Sequence, residues 1–105
     1  MSGAKHRRKG SRVEREIVAK HIEIGVPAKR IPLSGAAAGF PGDVEIELHD
    51  GKLTGEVKAR KSGAGFVTLE SWLGANGVLF LRRDNAEPIV VVPWSTWARV
   101  LKVKQ

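Results

Sequence analysis

The stretch GDVEIELHDGKLTGEVK, residues 42–58, opens on an aspartate and closes on Glu56-Val57-Lys58. Asp50-Gly51 between alternating apolar residues is a strong hairpin signal. With those two residues at the turn, Val44 faces Val57, Glu45 faces Glu56 and Asp43 faces Lys58. Side chains alternate across a strand, so Asp43, Glu45, Glu47, Thr54, Glu56 and Lys58 share one face. Val44, Ile46, Leu48, Leu53 and Val57 share the other, which is apolar and can pack into a core. A four-residue loop keeps this grouping, whereas a three-residue loop shifts the register by one and spoils it.

Carboxylates placed directly opposite each other destabilise a sheet. At roughly 4 Å in an effective dielectric near 20, the repulsion is on the order of several kcal/mol before relaxation. Such a face suits a cation. Mg²⁺, for which Mn²⁺ can substitute, binds through one or two carboxylates, retained waters and substrate phosphates. Asp43 and Glu56 could hold it, with the Val57 carbonyl as a further oxygen ligand. Lys58 points the same way and can orient a water or steady charge developing on phosphorus. The competing reading is a solvated polar face with an Asp43–Lys58 ion pair of little energetic weight.

Those residues need a scaffold, and the global numbers bound it. The chain has 105 residues, 42% hydrophobic and 28% charged, which describes one ordinary folded domain. Cysteine is absent, which excludes disulfides and thiolate metal sites. No apolar run approaches a bilayer span, and no apolar segment follows the basic N-terminus, so an intracellular protein without membrane contact is expected.

The net charge of +7 is uneven, since residues 1–30 hold nine Lys/Arg against three Glu. Residues 1–10 read as a basic arm, with Arg7, Arg8, Lys9 and then Arg12 as candidate contacts to a polyanion. A solubilising tail is the bland alternative. Residues 11–105 form the single domain.

Coarse patterning gives an α/β order. Val13, Ile17, Val18 and Ile24 fall at helical spacing from Ser11 to about Ile24, and Gly25 is a natural stop. Ala28 to Leu33 reads as a strand, followed by the small-residue loop SGAAAGFPG and the hairpin. GFVTLESWLGANG reads as a helix on Phe66, Leu69 and Leu73. Val78–Arg82 and Ile89–Val92 read as strands joined by the polar turn RDNAE. Pro93 can start a last helix carrying Trp94, Trp97 and Leu101. The predicted order is α-β-β-β-α-β-β-α.

Gly42-Asp43 followed by Glu56-Val57-Lys58 resembles the core of the PD-(D/E)xK nucleases. More closely, RKGSRVEREIVAKHIEIGVPAKRIPLSGA resembles the opening of the archaeal-type Holliday junction resolvases: a Lys-Gly-Ser lead into a Glu-Arg helix, an Arg-containing strand and a Ser-Gly loop. The matching stretches cover residues 8 to about 61. The resemblance implies a restriction-endonuclease-like core with a mixed central β-sheet flanked by helices. It also implies an Mg²⁺-dependent endonuclease hydrolysing phosphodiester bonds in four-way junctions, with no small organic cofactor. A further acid from the first helix maps onto Glu14, the loop serine onto Ser34, and the strand arginine onto Arg30 as a DNA contact. Pro41 is displaced by one position from the family's proline, and Ala36 stands where a second serine often occurs.

A four-way junction has near two-fold symmetry, so matched cuts call for a homodimer, with the C-terminal strands and Trp helix as the suspected surface. The expected setting is the cytoplasm and its nucleoid, or a host cytoplasm for a virus-encoded enzyme. Rival readings are a nuclease of this fold acting on flapped, nicked or duplex DNA, and a non-catalytic DNA-binding module.

Glu14 has a second reading, because Ser11-Arg12-Val13-Glu14 is also a capping box. Glu14, Val18 and His21 form a stripe beside the apolar face, which places Glu14 at the boundary with the sheet. His6, His21 and His49 lack metal-ligand spacing. Neither a Ser-His-Asp arrangement nor a phosphate-loop motif is present. Trp72, Trp94 and Trp97 could stack on bases, although helical spacing favours core or dimer contacts for the last two. Arg60, Lys61, Arg82 and Arg83 are candidate phosphate contacts, which would position a substrate without reading its sequence.

Overall fold

A computed structural model describes residues 2–31 and 42–104. The elements are α1 (Ser2–Glu23), β1 (Ala28–Arg30), β2 (Val44–Leu48), β3 (Gly51–Gly55), α2 (Ala64–Leu73), β4 (Leu79–Leu81), β5 (Ile89–Val91) and α3 (Trp94–Lys104). This is the expected α-β-β-β-α-β-β-α order, in a mixed α/β chain. Two compact units divide it, one running to Ala59 and the other spanning Arg60–Val103.

In the first unit, α1 starts nine residues earlier than its apolar spacing predicts, at Ser2 rather than Ser11. Lys and Arg are good helix formers and no proline interrupts, so the basic stretch continues the helix through Gly10. Ser11 is therefore mid-helix, and the Ser11–Glu14 capping box does not form. At the other end, Gly25 N–H donates to the Ile22 carbonyl at 3.0 Å and Val26 N–H to the His21 carbonyl at 2.9 Å. Those paired bonds form a Schellman cap, and Gly25 takes the left-handed φ of +88° that it requires. Val26, just past the cap, is completely buried.

Gly25→Ala is expected to lower stability by about 1–2 kcal/mol, because a Cβ makes this backbone conformation costly. A thermal melt of the variant beside the parent checks it.

β1, β2 and β3 form an antiparallel meander on which α1 packs. Val44 and Ile46 are 2% and 6% exposed, and with Val26, Ile31 and the side chain of His21 they make the buried centre of this unit. His21 Nδ1 lies 2.7 Å from the Ile17 carbonyl, a local tie within the helix.

The hairpin register differs from the expected one. His49 and Asp50 form the turn, and Leu48 pairs with Gly51, Glu47 with Lys52, Glu45 with Thr54 and Val44 with Gly55. Each residue of β2 thus faces a partner two positions nearer the turn than predicted. An even shift keeps the two faces intact, so Val44 and Ile46 still point inward. Its reason is electrostatic: this register sets Lys52 against Glu47 and Thr54 against Glu45, where the predicted one set Glu45 against Glu56.

The second unit contains α2, the β4–β5 hairpin and α3. Arg83 and Ala86 close the turn between the strands, with Asn85 at a φ of +62°. Leu79 pairs with Val91, Phe80 with Val90 and Leu81 with Ile89. Pro93 occupies the cap of α3 rather than its first turn, its carbonyl accepting from the Thr96 and Trp97 N–H groups. Thr96 Oγ1 donates to the Gly77 carbonyl at 2.7 Å, tying α3 to the segment before β4. No residue of α2 is buried. Every strand pairing among the described residues is antiparallel, so the parallel part of the expected mixed central sheet is not among them.

Candidate functional site

The open end of the β2–β3 hairpin carries the candidate chemistry. Gly42 leads into β2 with a φ of +82°, and a Cβ there would lie 3.1 Å from the Gly55 carbonyl oxygen and 3.2 Å from Thr54 Cβ. Only glycine brings the chain this close to β3. Asp43 N–H then donates to the Gly55 carbonyl at 2.7 Å, while Val44 is itself the partner of Gly55. Two residues addressing one is the count of a β-bulge, a device that re-aims a side chain. Asp43 Oδ2 accepts the Val57 N–H at 2.8 Å.

That bond joins Asp43 to the middle residue of Glu56-Val57-Lys58, just past the end of β3. The expected Asp43–Lys58 pairing does not form, because Lys58 Nζ lies 3.1 Å from Glu56 Oε2 instead. Both of those side chains are more than half exposed, so their pairing contributes little to stability. Glu56 can exchange its lysine for another cation at small cost.

The four-carboxylate face is less uniform than expected. Glu45 sits between Lys29 at 3.9 Å and Lys52 at 3.5 Å, and Glu47 faces Lys52 across the ladder. Lys29, Glu45, Glu47 and Lys52 line a shallow cleft of about 130 Å³ with Pro27 and Ala28. Lysines thus stand against Glu45 and Glu56, Lys52 also lies across the ladder from Glu47, and Asp43 has no ion-pair partner among the described residues. Lys52 was open to discovery from sequence, had the hairpin been set in the register that opposes unlike charges.

Glu14 lies on α1 with its side chain 13% exposed, at the boundary with the sheet as its stripe predicts. It accepts a hydrogen bond from Arg30 Nε at 3.0 Å. Arg30 Nη2 donates to Ser11 Oγ at 3.1 Å. Sixteen residues separate Glu14 from Arg30, and no local spacing announces the pair.

Ser34 and the rest of its loop lie outside the described residues. Arg7, Arg8 and Lys9 are on α1, as is the exposed Arg12. Arg60 and Lys61 open the second unit, where Arg82 and Arg83 follow β4, and all four are exposed. Val57 is half-buried. His49 is exposed at the hairpin turn and His21 is buried, so neither joins the carboxylates.

Among the described residues no three His, Asp or Glu side chains gather as a metal-holding group. Asp43 and Glu56 nonetheless fit Mg²⁺ in donor type: both offer carboxylate oxygens, Val57 beside Glu56 in the chain adds a backbone carbonyl, and neither is a nitrogen or sulfur ligand. A carboxylate has about four acceptor sites, so the Val57 N–H leaves Asp43 with capacity for a cation. No helix among the described residues is long and apolar enough to cross a membrane. Comparison with known protein families, curated proteins and solved structures finds no match to this chain.

Proposed function

We propose that the chain is an Mg²⁺-dependent endonuclease of branched DNA, resembling the archaeal-type Holliday junction resolvases, on a restriction-endonuclease-like core. The observation that carries this reading is the Asp43 carboxylate seated 2.8 Å from the Val57 amide. It joins the aspartate to the backbone of the Glu-x-Lys stretch, which supports the resemblance. The α-β-β-β-α-β order that begins the fold supports it further.

Asp43, Glu56 and the Val57 carbonyl would hold the ion. When bound, a divalent cation supplies Lewis acidity at a phosphoryl oxygen and lowers the pKa of water. Lys58 places an ammonium beside Glu56, where it can counter the charge that grows on a phosphorane-like transition state. The basic residues Arg7, Arg8, Lys9, Arg12, Arg60 and Lys61 would bind the phosphate backbone, which positions a substrate and makes affinity salt-dependent. Two matched cuts in a four-way junction call for two copies of this site, hence a homodimer. Its setting would be the cytoplasm and its nucleoid, or a host cytoplasm for a virus-encoded enzyme.

The test is a labelled four-way junction and a matched linear duplex, each incubated with Mg²⁺ or with EDTA. Paired, metal-dependent nicks on the junction alone are expected. Metal-dependent cutting of flap or duplex would move the substrate while keeping the chemistry, and binding without cleavage under any divalent metal would leave a DNA-binding module.

A further inference from the structure

Glu14 enters the resemblance as an acid of the metal site, yet its carboxylate is engaged by Arg30, and the same guanidinium is engaged by Ser11. Two residues one helical turn apart on α1 thereby grip one arginine on β1. We infer that Glu14 and Ser11 are positioning residues that hold Arg30 as a fork for a DNA phosphodiester, an inference that rests on the nucleic-acid reading above.

Three features carry it. A guanidinium has five N–H donors in a fixed plane, and the bonds from Nε and Nη2 occupy one edge of it. The remaining N–H groups form the bidentate geometry that suits a phosphate. Exposure divides the same way: the Glu14 side chain is 13% exposed and that of Arg30 is 41% exposed. The acid is thus tucked against the sheet while the arginine reaches solvent. Thirdly, Arg30 pairs with Val44 and shares its face of the sheet, the one on which α1 packs, which is what brings the guanidinium to Ser11 and Glu14.

Charge and position make opposite claims about Glu14. Removing a carboxylate near a phosphate strengthens binding if only Coulomb attraction matters. If the carboxylate orients Arg30, its removal loosens binding. The difference in sign is readable without metal or cleavage.

The experiment is fluorescence anisotropy of a labelled four-way junction in EDTA, titrated with the full chain over a range of salt. Arg30→Ala is expected to weaken binding roughly tenfold, as loss of a charge-assisted contact does, and to reduce the slope of log K on log salt by about 0.9. Glu14→Ala is expected to weaken it in the same direction, and Arg30→Ala with Glu14→Ala to bind no worse than Arg30→Ala alone. Arg30→Lys keeps the charge and loses the fork, so it too should bind more weakly than the parent. Thermal melts accompany each variant; if Glu14→Ala does not fold, Ser11→Ala and Arg30→Lys decide.

Glu14→Ala binding as tightly as the parent or tighter overturns the positioning role, as does parental binding by both Ser11→Ala and Arg30→Lys. These results leave the nuclease reading standing. A parent chain that binds no junction at low salt overturns both together.

Discussion

Glu56→Ala is expected to lower Mg²⁺-dependent cleavage of a four-way junction by at least about a hundredfold, with the melting temperature nearly unchanged. Loss even of an outer partner of a metal ligand costs 10–100-fold in affinity or activity, so a ligand itself sets a higher floor. The melt should hold because Glu56 is 55% exposed and its one ion-pair partner among the described residues is Lys58, two residues away. Exposed pairs of this kind contribute little to folding. Asp43→Asn is its companion. Asparagine retains a carbonyl oxygen to accept the Val57 N–H, so the bulge at Gly55 should survive while the negative charge is lost. Asp43→Ala removes both, and leaves that part-buried amide without its acceptor, at a cost of about 1 kcal/mol or more. Single-turnover cleavage and a thermal melt on the three variants check the set. Full activity in Glu56→Ala would remove the metal-site assignment.

The elements were legible because each had a local cause. Gly25 marked the end of α1 and caps it through a backbone conformation only glycine takes cheaply, and the alternation Val44, Ile46, Leu48 marked a strand with one face inward. The register was not legible in the same way. Asp50-Gly51 is the stronger turn signal, but His49-Asp50 forms the turn, because pairing Lys52 with Glu47 relieves repulsion that the local signal ignores. Ser11 misled for a related reason. A serine three residues before a glutamate reads as a cap wherever a helix starts, and Lys and Arg carried the helix past it. The Asp43–Val57 bond needed the bulge, and the Glu14–Arg30–Ser11 grip needed α1 packed on β1. Both are products of tertiary structure that no spacing along the chain encodes.

Ile46→Ala is expected to cost about 2–4 kcal/mol of stability, within the range for truncating a buried isoleucine. Leu53→Ala should cost markedly less. The two residues are direct partners on the same face of the hairpin, but Ile46 is 6% exposed beneath α1 while Leu53 is 40% exposed. Chemistry and face are matched in this comparison, so the difference isolates burial. For a small domain holding roughly 5 kcal/mol, the larger loss is a substantial fraction of the whole, and the urea midpoint should fall without a change in slope. Asp43 directly precedes β2, so cleavage by Ile46→Ala should fall only as the folded fraction falls, and recover on cooling or with stabilising osmolyte. Glu56→Ala should show the reverse, an intact melt with no recovery. An equal cost at positions 46 and 53 would mean that Leu53 is covered in solution, which sedimentation of the parent chain would reveal as a second copy seated on the hairpin.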